Sequence, residues 1–271
     1  MEYVLAVIAV LAVFTAIQNN MPVVRNVRIK NPELKGIRLV QLSDLHKKKF
    51  GSFNSSLVRK IKKLNPSLIM MTGDMVSRQG TDIQPLEFLL SSCSRICPVY
   101  YALGNHENDM DSRDFRQLCA VISKSGAVLL KNQSADIAVD GRMMHITGLC
   151  FARENFRNAQ GGFTGLKPYL IGDMNEAVGY KGSEYTILLA HNPLYLDTYA
   201  SWGAELVLSG HVHGGIVRLP FIGGLLSPER KFFPKYSAGI YRKDNTTMYV
   251  NCGLGKFRMF NPPEITLIEF E

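Results

Sequence analysis

Cysteine is too scarce and too irregular in this 271-residue chain to staple a fold. The five residues, Cys93, Cys97, Cys119, Cys150 and Cys252, are odd in number and follow no disulfide-framework spacing. Cys93 and Cys97 stand one helical turn apart, with no second pair to complete a zinc knuckle. Free thiols in a reducing compartment, the cytoplasm, are what this usage implies. Internal repeats and low-complexity tracts are absent as well. With 46% hydrophobic and 20% charged residues, global disorder is excluded and a sizeable core is expected. The net charge of +8 comes without an aromatic-plus-basic stacking pattern, and much of it lies near the N-terminus, which argues against nucleic acid as a partner. Phosphorylated substrates and acidic lipid head groups remain as anionic partners.

Long apolar runs are missing too. The longest, Tyr3 to Ile17, is 15 residues with Thr15 its one polar member, short of the roughly 20 of a comfortable membrane span. It begins after Glu2 with no Lys or Arg, and no convincing small-x-small cleavage site follows, which argues against a secretory signal. Positive charge instead follows the run, at Arg25, Arg28, Lys30, Lys35 and Arg38. This asymmetry places the N-terminus outside and the bulk of the chain on the cytoplasmic face. The expected division is a hydrophobic anchor over residues 1–20, a polar linker over 21–35 and one catalytic domain over 36–271. The alternative for the first segment is an apolar helix packed on the domain or on a partner.

Beyond residue 35 the pattern is strand, loop, helix, repeated. Strands are predicted over residues 37–43, 67–71 and 99–103, each followed by a helix, near 53–64, 84–93 and 111–124. Three strands follow at 127–130, 135–139 and 143–149, with Asp140-Gly141 as a tight turn. Residues 151–184 lack a clear period apart from a helix near 170–177, which suits a lid or binding loop. Further strands fall at 185–190, 206–209, 236–241, 247–251 and 264–269. The expected fold is α/β, a two-sheet sandwich flanked by helices.

Five short polar motifs each stand where a predicted strand runs out: Asp44-Leu-His46, Gly73-Asp74, Gly104-Asn105-His106-Glu107, His191-Asn192 and Gly210-His211-Val-His213-Gly214. Loops leaving the carboxyl ends of adjacent strands converge, so motifs distant in sequence can share one site. Carboxylate, amide oxygen and imidazole form the ligand mixture that hard and borderline divalent metals take, and no thiol is among them. Any one motif alone reads as an ordinary turn or a satisfied histidine. Five in order, each after a strand, read as a metal site. His145 matches no motif and lies inside a strand, which makes it structural, and Asn192 orients its neighbourhood. Lys47, Lys48 and Lys49 are placed to meet an anionic substrate or form a solvated loop. Arg153, Arg157 and Lys167 are candidates for a phosphate or head group. Asn251, Gly253 and Gly255 form a late turn beside the site.

The ordered series resembles the calcineurin-like metallophosphoesterases, from Asp44 to Gly214, and within them the small membrane-associated bacterial phosphoesterases. Some relatives of that branch cleave the pyrophosphate of UDP-diacylglucosamine. The resemblance implies a four-layer α/β/β/α domain holding two divalent ions, manganese, iron or zinc, with manganese favoured. It implies Asp44, His46 and His213 on the first ion, Asn105, His191 and His211 on the second, and Asp74 bridging both. His106 would be the unliganded histidine that protonates the leaving group or steadies the phosphoryl oxygens, and Glu107 would support the site from behind. Two such ions activate a bridging water for in-line attack, so no nucleophilic Ser or Cys is required. The implied activity is hydrolysis of a phosphodiester or pyrophosphate bond, with a lipid-linked or nucleotide-linked substrate at the membrane surface. The alternatives are a phosphoesterase for soluble substrates and a non-catalytic metal-binding scaffold.

Overall fold

The apolar runs that end at the motif residues form strands buried on both faces, which is why they read as continuous hydrophobic stretches. The computed structural model describes residues 2–79, 82–162, 164–215, 217–219, 223–226, 232–255 and 258–271. Helix α1 (Glu2–Asn20) precedes strand β1 (Val23–Ile29). Three strand–helix units follow: β2 (Arg38–Leu42) with α2 (Ser55–Lys63), β3 (Leu68–Thr72) with α3 (Gln84–Ser94), and β4 (Val99–Ala102) with the single turn α4 (Asn105–Asn108) and α5 (Ser112–Lys124). Strands β5 (Val128–Leu130), β6 (Gln133–Val139) and β7 (Arg142–Leu149) lead to α6 (Ile171–Val178), β8 (Thr186–Ala190), α7 (Leu196–Trp202) and β9 (Leu206–Ser209). The chain ends through a small hairpin, β10 (Val217–Leu219) and β11 (Gly223–Leu226), then β12 (Gly239–Lys243), β13 (Thr246–Val250) and β14 (Glu264–Phe270).

Two six-stranded sheets result, ordered β1-β14-β2-β3-β4-β5 and β12-β13-β9-β8-β7-β6. Successive side chains of a strand point to opposite faces, so each sheet feeds two cores. Leu39, Leu68 and Met70 meet Ile187, Leu189 and Leu208 between the sheets. Their sequence neighbours Val40, Leu42, Ile69 and Met71 turn outward onto Leu57 and Ile61 of α2 and Leu86 and Leu89 of α3. On the other side Leu188 and Val207 pack against Met174 of α6 and Tyr199 and Trp202 of α7. This is the expected four-layer α/β/β/α sandwich. Each fully buried Leu or Ile contributes roughly 1.5–3 kcal/mol relative to exposure, and a one-residue slip would exchange the two cores of a sheet.

Polar groups stitch the sheets together just below the site. Gln41 Nε2 donates to Thr72 Oγ1 at 3.0 Å and to the Ser209 carbonyl at 2.9 Å, joining β2, β3 and β9. The Asp140-Gly141 turn is as expected, with positive φ at both residues (49° and 75°) between Val139 and its partner Arg142.

Two local readings need correction. Residues 23–29, inside the stretch expected as a linker, are an edge strand parallel to β14. Its sequence, Val-Val-Arg-Asn-Val-Arg-Ile, carries too much charge to announce a strand, and only Val27 and Ile29 are buried. The first catalytic-domain helix begins at Ser55, because Phe53 and Asn54 adopt positive φ (49° and 66°) and the Asn54 side chain accepts from the Phe50 N–H. Helix α1 outruns the apolar stretch by three residues, its last turn held by Asn19 Nδ2 to Thr15 O and Asn20 Nδ2 to Ala16 O, each 2.8 Å. Its apolar side chains, Val4, Leu5, Val10 and Val13 among them, are exposed rather than packed on the domain. All five cysteines are free thiols.

Candidate metal centre

Every motif stands at the carboxyl end of a strand: Asp44 and His46 after β2, Asp74 after β3, Asn105 and His106 after β4, His191 after β8, and His211 with His213 after β9. Backbone hydrogen bonds lock these loops to one another, Asp44 N–H to Gly73 O and His46 N–H to Asp74 O at 3.0 Å and Gly210 N–H to His191 O at 3.1 Å. Asp44, His46, Asp74, His211 and His213 all have left-handed backbone, with φ between 52° and 70°. That region costs residues with a Cβ about 1–3 kcal/mol each, toward the low end for Asp and His, and it persists only where surroundings enforce it. Five such residues in one cluster mark a site that the fold has been built to hold. Close approach also requires glycine here. A Cβ on Gly104 would overlap the Asp74 carboxylate, and one on Gly210 would overlap Asp44.

The eight candidate side chains converge. His213 Nε2 lies 3.0 Å from Asp44 Oδ1 and 3.3 Å from His46 Nε2. His191 Nε2 lies 3.3 Å from Asp74 Oδ2 and 3.8 Å from Asp44 Oδ1. His106 Nε2 is 3.9 Å from Asp74 Oδ2. Among the described residues three sets of potential ligand atoms fall within 4.8 Å of one another: Asp44 with His46 and His213, Asp74 with His191 and His211, and Asp74 with His46 and His106. Asn105 joins them with its Oδ1 buried and without a hydrogen-bond partner.

Burial alone would raise the Asp44 carboxyl, but His213 and His191 outweigh it and hold the group well below the ordinary carboxylate range. Asp74 is lowered likewise, burial being overcome chiefly by His191. Burial would lower His191, yet Asp74, Asp44 and the hydrogen bond from Nδ1 to Thr72 O (2.7 Å) push it up to about 10. His106 goes the other way, down to about 4, because burial prevails over the attraction of Asp74.

Glu107 supports the site from behind, as expected. It is fully buried, and its two oxygens accept from Asp74 N–H (2.8 Å), Gly104 N–H (2.9 Å), Met75 N–H (2.8 Å) and the Tyr101 hydroxyl (2.7 Å). Burial and the nearby Asp74 raise it to about 7. His145 is structural, its Nδ1 2.6 Å from Asp136 on the paired strand. Asn192 donates to Asn155 O at 3.0 Å. Arg153 and Arg157 line a small recess with Asn105 and Phe156, while Lys167 pairs with Glu154 at 3.6 Å, away from the cluster. Gly253 packs a backbone turn under Asp44.

Three participants were missed in the sequence. Arg78, four residues past Asp74, touches His106 twice: its backbone N–H is 3.3 Å from Nδ1 and its Nη2 3.1 Å from Nε2. A neutral imidazole has one acceptor and both partners donate, so only one of the two contacts can be a hydrogen bond at a time. The guanidinium is held by Asp109 at 3.1 Å. Phe156 lies 4.9 Å, centroid to centroid, from His211 and walls off that side. Arg258, 2% exposed, donates from Nη1 to the carbonyls of Cys252 and His213. Only the position of Arg78 in the Asp74 loop offered a signal.

The donor set fits a pair of divalent ions. Two imidazole nitrogens facing each other at 3.3 Å beside a carboxylate need a proton or a cation between them. Asn105 Oδ1 is buried without a hydrogen-bond partner, a costly state that a metal ligand bond relieves, and His191 Nε2 faces the Asp74 and Asp44 carboxylates.

Residues 37–215, which include every one of these motifs, match the calcineurin-like phosphoesterase family. The chain belongs to that family and is a metal-dependent phosphoesterase; the family uses a dinuclear divalent centre. It is similar to the UDP-2,3-diacylglucosamine pyrophosphatase LpxG of Chlamydia trachomatis, 26% identical over 90% of this chain and 86% of that one. It is similar to the phosphodiesterase YaeI of Escherichia coli, 24% identical over 86% of this chain and 81% of that one. A transmembrane protein with a metallophosphoesterase domain from Danio rerio is 28% identical over 97% of this chain and 61% of its own length.

Proposed function

We propose that this protein hydrolyses a phosphodiester or pyrophosphate bond in a lipid-linked or nucleotide-linked substrate at a membrane surface, with the catalytic domain on the cytoplasmic side. The observation that carries the chemistry is that Asp44, His46 and His213 offer ligand atoms within 4.8 Å of one another and Asp74, His191 and His211 do likewise, with Asn105 to complete the second set. Two divalent ions, manganese by preference, would be held by those residues and, when bound, supply an activated water and neutralise phosphoryl charge. His106 stands outside the two ligand sets, its Nε2 3.9 Å from Asp74 Oδ2, where the protonated ring would give a proton to the leaving oxygen and the neutral ring would hydrogen-bond a phosphoryl oxygen. Glu107 fixes Asp74 through its backbone, and Phe156 excludes water beside His211.

Two observations support a membrane-borne substrate. Helix α1 is long and apolar enough to cross a bilayer and leaves its apolar sides uncovered. A helix that is hydrophobic all round needs lipid or a partner around it. Beside His46 a cavity of about 200 Å³ is floored by Leu45, Met75, Pro85 and Leu86, with Lys47 and Lys49 at the rim. Its described lining includes no Phe, Tyr or Trp, which suits an alkyl chain better than a stacked base; Lys49 is paired with Asp82 at 3.0 Å, and Lys47 suits an anionic group beside it.

The test compares the full-length protein, manganese-loaded in detergent, on UDP-2,3-diacylglucosamine and on a soluble aryl phosphodiester. A kcat/KM at least about tenfold higher on the lipid-linked compound is the expected result, of the size one buried alkyl segment gives. Equal values would favour a phosphoesterase for soluble substrates. No turnover of either with metals bound would favour the scaffold.

A further inference from the structure

Helix α1 meets the domain at its C-terminal end, on the His46 loop and on the turn around Arg258 that packs beneath the cluster. Asn20 Oδ1 accepts a 2.5 Å hydrogen bond from Lys48 Nζ. Lys48 is two residues past His46, 7% exposed, and lies over the Phe50 ring at 5.3 Å. Asn19 Nδ2 donates to the Arg258 carbonyl at 2.8 Å. Arg258 in turn braces the turn beneath the site, Nε donating to Gly255 O at 2.9 Å and Nη1 to the carbonyls of Cys252 and His213. That turn is tied to the Asp44 loop, with Leu254 N–H bonded to Ser43 O at 2.9 Å. Phe14, one and a half turns back along α1, rests against Phe260 at 6.0 Å between ring centres.

We propose that Asn19 and Asn20 are positioning residues for the metal site formed by Asp44, His46 and His213, Asn20 clamping the His46 loop through Lys48 and Asn19 bracing the His213 loop through Arg258. This rests on the metal assignment above. Adjacent helix residues project about 100° apart, so the pair reaches two loops at once. The two loops bring His46 Nε2 and His213 Nε2 to 3.3 Å, and ligand distances around a metal tolerate shifts of only about 0.2 Å. A loop displaced by a few tenths of an ångström therefore weakens the site. The chemistry of each amide is specific: Asn20 offers an acceptor to an ammonium, and Asn19 offers a donor to a carbonyl. Lipid around α1 would thus be coupled to metal occupancy, and removal of residues 1–20 would impair the centre even toward a soluble substrate.

Both side chains also cap their own helix, through Thr15 O and Ala16 O. A capping role alone would respond alike to Asp at either position, and a clamp would not. The experiment is manganese titration by calorimetry, with bound metal counted by mass spectrometry, on full-length chelator-stripped protein in detergent. Asn20→Asp keeps an acceptor for Lys48 and should bind both ions within about twofold of wild type. Asn19→Asp sets a carboxylate against the Arg258 carbonyl and should weaken one of the two binding steps roughly tenfold, as should Asn19→Ala combined with Asn20→Ala. Val13→Ala, on the exposed part of α1, should change neither step. Wild-type affinity in Asn19→Asp, or equal losses in the two Asp variants, would overturn the clamp, and this comparison decides the matter if the double variant fails to fold. A wild-type protein that binds no manganese would overturn the metal assignment itself, and the clamp with it.

Discussion

Replacing Glu107 with Gln swaps one acceptor oxygen for a donor NH2 and removes the ionisable proton, and the cost follows from the donors it leaves behind. If the new amide NH2 takes the place of Oε2, it faces the N–H groups of Asp74 and Gly104, which then have no acceptor. If it takes the place of Oε1, the Tyr101 hydroxyl can turn to accept, but Met75 N–H and the longer contact from Val76 N–H are stranded. A buried donor left unpaired costs about 1–3 kcal/mol. The loss is therefore about 1–3 kcal/mol or somewhat more in either orientation, against a total stability of roughly 5–15 kcal/mol. At roughly 2–4 °C per kcal/mol for a domain of this size, the melting midpoint of Glu107→Gln should fall by roughly 3–10 °C. Because the disturbed N–H groups belong to Asp74 or to Met75 next to it, the stabilisation gained on adding manganese should shrink as well. Scanning calorimetry with and without manganese reads both effects. A midpoint within about 1 °C of wild type, with the metal-induced shift intact, would refute the role given to Glu107.

Two further outcomes follow from the same geometry. His106→Asn should retain two manganese ions per chain while kcat falls about 10²–10⁴-fold, the usual worth of a positioned proton donor, and a loss under tenfold would speak against that role. His191, raised to about 10, contributes stability to the metal-free protein that is fully present below the ordinary histidine value and lost as pH rises through about 10. A cation at Nε2 must displace that proton, so manganese binding at pH 8 should release about one proton, read by calorimetry in buffers of different ionisation enthalpy; binding without proton release would contradict the assignment.

The metal cluster was legible because its residues are chemically conspicuous and each closes an apolar run; strand ends and convergence follow from the parallel α/β pattern. Edge strand β1 was not, since its partner β14 lies some 240 residues away in sequence and its own side chains are half polar. Arg78, Phe156 and Arg258 were missed for a related reason: each acts through a tertiary contact that local spacing does not encode. Asn19 and Asn20 looked like the polar end of an apolar run. Their second contacts, to Lys48 and Arg258, arise only when the chain folds back on the helix.

The most direct measurement is hydrolysis of bis-p-nitrophenyl phosphate by purified protein stripped with chelator and resupplied with manganese, with bound metal counted in parallel. Turnover that vanishes on stripping and returns as two ions bind per chain is the expected result. Turnover indifferent to the chelator, or none with two ions bound, would contradict a dinuclear hydrolase built on Asp44, His46, Asp74, Asn105, His191, His211 and His213.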